Sequence, residues 1–284
     1  MTASPAASVA APETQPITDL CSRFGLHTLP FTRELAVKDR FAHPDFDAAL
    51  GPLYAAVSQR QSAALIAPAG TGKTALLRAL CARLPAARYR THYVKVADLS
   101  KRDLCREIAT AVGAKPAGSY PMLVRRLQEH FAAATDTDGV RPVLLIDDGH
   151  DIRPDVLGLL RIVTNFDMDS RLVVSIVLCG QPPLARLLRR DDLVDVCGRL
   201  AHIAQLAPLS RPDSARYVEH RVRIAGAATC PFDADALDAS YEISRGNLRA
   251  IDRLCRKALA VAHTAGHDRV DANHIAEARR LLWP

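Results

Sequence analysis

The sequence predicts an α/β protein, a parallel five-stranded sheet sandwiched by helices and followed by a small all-helical unit. Three observations predict it. Short apolar runs alternate with amphipathic stretches as far as Leu206. A glycine-rich loop, 67–74, joins the first of those runs to a helical stretch, and after Pro208 four helical stretches follow with no strand between them.

Taken in order, a helix over 45–59 leads into the first strand, Ala63-Ala64-Leu65-Ile66. A second strand is expected at 91–96. A helix then runs to Val112 from Ser100, which with Asp103 makes a capping pair. The next helix starts after Ser119, carries Pro121 in its first turn and ends near Ala134, before a turn-rich stretch at 135–139. Val143 to Ile146 reads as a strand buried on both faces. Pro154 opens a helix to about Thr164, and strands are expected at 171–179 and 201–206. The four closing helices are expected at 211–225, 233–244, 247–265 and 271–282, with Ser210, Asp233 and Asp271 at caps and Gly226, Gly246 and Gly266 at ends. The expected division is a tail at 1–18 that stays disordered, an α/β domain at 19–207 and a helical domain at 208–284.

Composition narrows the class. The chain has 284 residues, 49% apolar and 24% charged, as in a soluble globular protein, and the 5% aromatic share speaks for an aliphatic core. The net charge of +6 permits contact with nucleic acid without demanding it. The tail lacks the basic start and apolar stretch of a secretory signal, and no run nears the roughly 20 apolar residues that span a bilayer, so the expected location is cytoplasmic, with no membrane partner. The seven cysteines have no C-x-x-C spacing and read as reduced thiols, and the ten histidines form no ligand pattern.

The loop carries the chemistry. In Ala67-Pro68-Ala69-Gly70-Thr71-Gly72-Lys73-Thr74 the glycines fall where a buried strand turns into a helix. Glycine lets the backbone curl and aim N–H groups at a phosphate, and the helix N-terminus adds partial positive charge. Lys73 is the residue to neutralise β- and γ-oxygens, and the Thr74 hydroxyl suits a Mg²⁺ position. Ala67 stands where a glycine is usual, which is tolerated if its φ stays negative. Asp147 emerges at the end of the 143–146 strand, where ligands of parallel sheets bind, and is the second expected Mg²⁺ partner, through water. Asp148 is the residue expected to polarise an attacking water. Together the two motifs predict a site for ATP with Mg²⁺.

Further motifs carry a resemblance. Phe24-Gly25-Leu26 with Pro30-Phe31, the stretch Leu160 to Ser170, and Cys179-Gly180-Gln181-Pro182 resemble the ExeA/TniB/MuB-type branch of the AAA+ ATPases, over nearly the whole chain from Phe24. The similarity is strongest to short helper ATPases that accompany transposases of insertion elements. It implies the P-loop NTPase fold with an AAA+ lid, and a lead-in segment bordering an adenine pocket. It gives Gln181 the sensor 1 role toward the γ-phosphate, Arg199 the role of a finger reaching a neighbouring subunit's γ-phosphate, and Arg249 the sensor 2 role. Arg189 and Arg190 compete for the finger, and a turn residue or a solvated arginine is the plainer reading of each. The family commonly has glutamate where Asp148 stands; a carboxylate drawn back by about an ångström can cost on the order of a hundredfold in rate. Gly149 replaces the usual alanine and is expected to loosen that turn, with His150 beside it a turn residue.

The function this implies is an ATP-hydrolysing helper that oligomerises on double-stranded DNA, as a hexamer or filament, and works with a transposase or integrase. Lys101 and Arg102, then Arg125 and Arg126, are the candidate DNA contacts. Without aromatic interleaving they would read phosphates in a sequence-tolerant way. A secretion-assembly ATPase ranks second, because the anchor and extension expected of one do not follow the lid. An ATP-gated recruitment switch that scarcely hydrolyses is the third reading.

Overall fold

The computed structural model describes residues 17–115 and 118–283. Most of the tail read over 1–18 therefore lies outside the described residues. The chain forms two compact units, one of residues 35–210 with 246–249, the other of 17–34, 211–245 and 250–283. This differs from the 19–207 and 208–284 division: residues 19–34 pack with the helical unit, and 246–249 with the α/β unit.

After α1 (Ile17–Arg23), which belongs to the helical unit, the α/β unit runs α2 (Pro44–Ser58), β1 (Ser62–Ile66), α3 (Lys73–Arg83), β2 (Tyr89–Lys95), α4 (Lys101–Val112), α5 (Tyr120–Asp136) and β3 (Arg141–Asp147). It continues through α6 (Pro154–Leu157), α7 (Leu159–Val163), β4 (Ser175–Gly180), α8 (Pro183–Leu188), α9 (Val194–Cys197) and β5 (Leu200–Gln205). The strands form one parallel sheet in the order β2-β3-β4-β1-β5. Successive side chains point to opposite faces of a strand. Leu144 and Ile146 accordingly join a core with Leu104, Ile108, Leu127 and Phe131 of α4 and α5, while Val143 and Leu145 join Leu53, Leu76 and Leu80 of α2 and α3. Burial on both faces explains the unbroken apolar run of β3.

Three of the predicted elements differ in form, and α1, α8 and α9 were not predicted. The helix predicted from Pro154 to Thr164 is broken at Gly158 into α6 and α7. Residues 171–174 are not strand: Arg171 bridges back to Phe166, closing a tight turn, and β4 begins at Ser175. Helix α5 runs on to Asp136, through the start of the predicted turn.

The helical unit contains α10 (Arg211–Ile224), α11 (Ala234–Ser244), all but the first turn of α12 (Leu248–Thr264), and α13 (Ala272–Leu282). Asp233 accepts a hydrogen bond from the Ala236 N–H at 2.7 Å and Asp271 accepts one from the His274 N–H at 3.0 Å, so both act as the caps that the sequence predicts. The N-terminal segment is fastened to these helices. Arg23 reaches Gly266 O and Asp268, His27 N–H donates to Ala225 O at 2.7 Å, and Phe31 meets Phe232 edge-on. Buried Arg221 donates to Thr32 O at 2.7 Å while facing Asp252 and the Tyr217 hydroxyl. Among the described residues no helix is long and apolar enough to cross a membrane.

Candidate nucleotide site

The parallel sheet brings three chain segments to one edge. Ala67 follows β1 and donates its N–H to Gly180 O at 3.0 Å, Gly180 ends β4, and Asp147 ends β3 opposite Lys95. The loop 67–74, the acidic pair 147–148 and Gln181 therefore meet at the C-terminal edge of the sheet, where the sequence put them.

Gly70 and Gly72 hold φ of +79° and +101°, a region closed to side chains at low cost, and buried Ala67 keeps negative φ as its position requires. Gly72 caps α3, and no side chain satisfies the first-turn N–H groups there, leaving an anion-binding end. Thr71 closes the curl by donating to Pro68 O at 2.9 Å. Lys73 Nζ donates to Ala67 O at 3.0 Å and Pro68 O at 2.9 Å, so its charge is held inside the loop. Burial lowers the pKa of Lys73, opposed by the nearby Cys179, Asp147 and Asp148 and reinforced by Arg249. Thr74 lies in the first turn of α3 and is exposed.

The first turn of α12 lies on the loop. Arg249 N–H donates to Gly70 O at 3.1 Å and Asn247 Nδ2 donates to Ala69 O at 2.6 Å. A Cβ on Gly70 would come within 2.3 Å of Asn247 Oδ1 and displace that side chain, and the φ of +79° disfavours any other residue there. Gly246 is under the same constraint, since a Cβ there would meet Leu209 O at 1.9 Å. The Arg249 backbone thus lies against the loop. Asn247, to which the sequence reading gave no role, is the residue that ties that turn to the loop.

The acidic pair has partners that sequence reasoning missed. Tyr93 Oη donates to Asp147 Oδ2 at 2.9 Å, the Asp148 N–H donates to Asp147 Oδ1 at 2.9 Å, and Lys95 Nζ stands 3.5 Å from Asp148 Oδ2. Tyr93 and Lys95 alternate along β2, so their side chains leave the same face toward the end of β3. Buried Cys179, whose thiol hydrogen-bonds Asp147, is pushed up by desolvation and stays protonated beside the pair. Asp148 has φ +56°, a left-handed conformation that costs a non-glycine residue roughly 1–2 kcal/mol. Gly149 does not loosen this turn. It packs it, because a Cβ there would lie 2.6 Å from Leu178 Cδ1. His150 is half-buried, with Nε2 2.5 Å from the Gln181 side-chain amide, so it orients Gln181 and is itself a turn residue, as expected. With the ring proton on Nδ1, His150 Nε2 accepts from the Gln181 amide N–H.

Arg199 lies elsewhere. It precedes β5, whose first residue Leu200 pairs with Ser62 at the start of β1. The five residues of β1, about 16 Å of strand, separate that edge from the phosphate loop. Its guanidinium is held by Asp169, with Nη1 donating to Oδ1 at 2.6 Å and Nη2 to Oδ2 at 2.7 Å. The four candidate DNA residues lie on two helices: Lys101 and Arg102 at the start of α4, where Lys101 is 3.9 Å from Asp155 and Arg102 donates to Gly118 O, and Arg125 and Arg126 on α5, where Arg125 pairs with Glu129 at 2.9 Å.

The residues present fit a nucleoside triphosphate and its metal. The cradle is curled through two glycines of positive φ, a helix N-terminus and a lysine face it, and Thr74 and Asp147 supply the hydroxyl and carboxylate that a magnesium ion takes.

The chain is similar to several known proteins. Residues 56–188 match the family described as AAA domain. Over 249 residues the chain is 30% identical to General secretion pathway protein A of Aeromonas hydrophila, a match covering 81% of this chain and 45% of that protein. The chain thus spans less than half the length of this curated relative. Among solved structures, the Aeropyrum pernix ORC1 protein in complex with DNA aligns at a TM-score of 0.67 and 19% identity, over 89% of this chain and 68% of that one. The Thermotoga maritima RuvB Holliday junction branch migration motor aligns at 0.60 and 18%, over 89% and 73%. Drosophila ORC bound to DNA aligns at 0.59 and 18%, over 100% and 71%. At these identities the likeness shows the fold, that of a P-loop NTPase with a C-terminal helical region.

Proposed function

We propose that this chain, whose residues 56–188 match the AAA domain on a P-loop NTPase fold, is an ATPase that assembles on double-stranded DNA and completes each site with an arginine from the neighbouring copy. Lys73 and the loop N–H groups bind the phosphates. Thr74 and Asp147 would hold a Mg²⁺ ion, which would neutralise charge on the phosphates when bound. Asp148 takes the proton side of the attacking water, Gln181 orients it, and Arg249 answers the phosphates from the first turn of α12.

The observation that carries this reading is the separation of Arg199 from the loop by the length of β1 within one sheet. An arginine at the opposite edge is ill placed to serve its own nucleotide, but it suits the nucleotide of a second copy. Such an arginine stabilises charge that grows on the transferred phosphoryl group. Assembly as a hexamer or a filament follows from a contact that is head-to-tail rather than self-complementary. The DNA component draws support from two aligned structures described as bound to DNA, and from the net charge of +6. Work beside a transposase or integrase rests on the motif resemblance.

The test is ATP turnover by the purified protein with and without duplex DNA at low salt. DNA should stimulate turnover, and Lys73→Ala and Arg199→Ala should each abolish the stimulation. Turnover indifferent to DNA would sink the DNA component, and an Arg199→Ala protein as active as its parent would sink the shared site.

A second reading has its own support. The relative at 30% identity is a general secretion pathway protein, which favours an ATPase that drives assembly of a secretion complex. The same site chemistry serves either setting; a response to duplex DNA separates them.

A further inference from the structure

Arg199 looks into a cleft of about 650 Å³ that Gln128, Arg161, Asp169 and Asp195 also line. Both arginines there are paired with an aspartate, Arg161 with Asp195 and Arg199 with Asp169, but the two pairs are built differently. Arg161 meets Asp195 through one nitrogen at 2.6 Å. Arg199 is gripped at both Nη atoms by both oxygens of Asp169, a planar fork that fixes the orientation of the guanidinium as well as its position. The end-on grip leaves Nε–H and the outer Nη hydrogens of Arg199 to an incoming anion.

The backbone that delivers Asp169 is unusual. Asp167, Met168 and Asp169 all take positive φ, at +49°, +55° and +70°, with no glycine among them. Left-handed residues seldom occur in succession, and such strain persists only where the surroundings over-determine it. Here they do. Phe166 bridges Arg171 across the turn, Ser170 Oγ donates to Asp167 O at 2.7 Å, Arg171 pairs with Asp136 of α5, and Gln128 of α5 donates to Ile162 O and Asn165 O at 3.0 and 3.1 Å. The turn is thus braced from α5, and what it holds out to Arg199 is the Asp169 carboxylate.

We propose that Asp169 is a positioning residue for Arg199, presented by the strained 167–169 turn so that the guanidinium stands pre-oriented for the triphosphate of an adjoining copy. This rests on the reading of Arg199 as a group acting in trans and adds to it the residue that aims it. An exposed arginine on a long side chain samples many rotamers, and a site that needs it in one of them gains by having that choice made in advance. Asp169 touches no nucleotide in this scheme, so its loss should slow the chemical step without weakening ATP binding.

The test is a double-mutant cycle on the full chain, with ATP turnover measured on duplex DNA at saturating and limiting ATP. Asp169→Ala should lower kcat about tenfold or more while KM for ATP moves less than twofold, and Asp169→Asn, which keeps one acceptor and the side-chain shape, should fall between. In an Arg199→Ala background the Asp169→Ala change should have no further effect, because its target is gone. If Arg199→Ala impairs turnover but Asp169→Ala and Asp169→Asn run at or above the parental rate, the positioning role is overturned alone. Losses that multiply in the double variant would likewise overturn it, marking Asp169 as a support of the fold. A parent protein without turnover, or Arg199→Ala as fast as the parent, would overturn the in-trans reading and this inference with it.

Discussion

At the residue scale, the phosphate loop was legible because its chemistry is local. Two glycines, a lysine and a threonine within eight positions need only the turn from strand to helix to become a site. The partners of the acidic pair were not legible, because they depend on register. Tyr93 and Lys95 reach Asp147 and Asp148 only because β2 pairs with β3 so that Lys95 stands opposite Asp147. Tyr93→Phe removes the hydroxyl that orients the Asp147 carboxylate; losing such an orienting group typically costs about 10–100-fold in metal affinity. The expected outcome is a Mg²⁺ requirement for ATP turnover raised at least tenfold, read from a magnesium titration. Gly149 was misjudged from the sequence for the same reason, since nothing local says that Leu178 lies against it. Gly149→Ala forces a methyl group into packed space and should destabilise the α/β unit by about 1–3 kcal/mol, measured by denaturant unfolding.

At the element scale, helices with caps and turn residues were read nearly to their ends. Ser100, Asp233 and Asp271 each accept the backbone N–H three residues on. Asp271 and His274 form a reciprocal capping box in which histidine takes the place usually held by a glutamate. The His274 N–H holds the Asp271 carboxyl below its ordinary range. A depressed carboxylate stabilises the fold fully above its unfolded-chain pKa, near 4, and loses that contribution as pH falls through the lower folded value. Asp271→Ala should therefore cost about 1 kcal/mol at neutral pH, and the difference from the parent should vanish in strong acid, both measurable from thermal melts across pH. The elements that were misread are those whose form comes from tertiary bracing. The 165–171 turn is held in a left-handed run by Phe166, Arg171 and Gln128, so the β-rich 171–174 stretch could not extend β4.

For the whole molecule, the alternation of strands and helices disclosed the sheet, whereas the unit boundary was hidden. Residues 17–34 pack with helices some two hundred residues later, through Arg23, His27, Phe31 and the buried Arg221 beneath Thr32. No local periodicity encodes such a pairing. Assembly belongs to this scale too. Met168 at the tip of the strained turn is 97% exposed next to the Asp169–Arg199 pair, an apolar side chain suited to a subunit contact. Met168→Asp should weaken ATP-dependent oligomerisation with little change in the melting temperature, which sedimentation with and without ATP would register. If Lys101 and Arg102 contact DNA phosphates, substituting both with alanine should flatten the log–log salt dependence of DNA binding by about 0.9 per lost phosphate contact.

The most direct test of the account mixes two proteins that should each lack DNA-stimulated turnover and keep at most a slow basal rate. Lys73→Ala retains Arg199 but lacks a working phosphate loop, and Arg199→Ala retains the loop but lacks the arginine. On duplex DNA with ATP, the mixture should recover stimulated turnover that neither protein shows alone, because one copy completes the site of the other. A mixture no faster than its components, with both still assembling on DNA, would contradict the shared site.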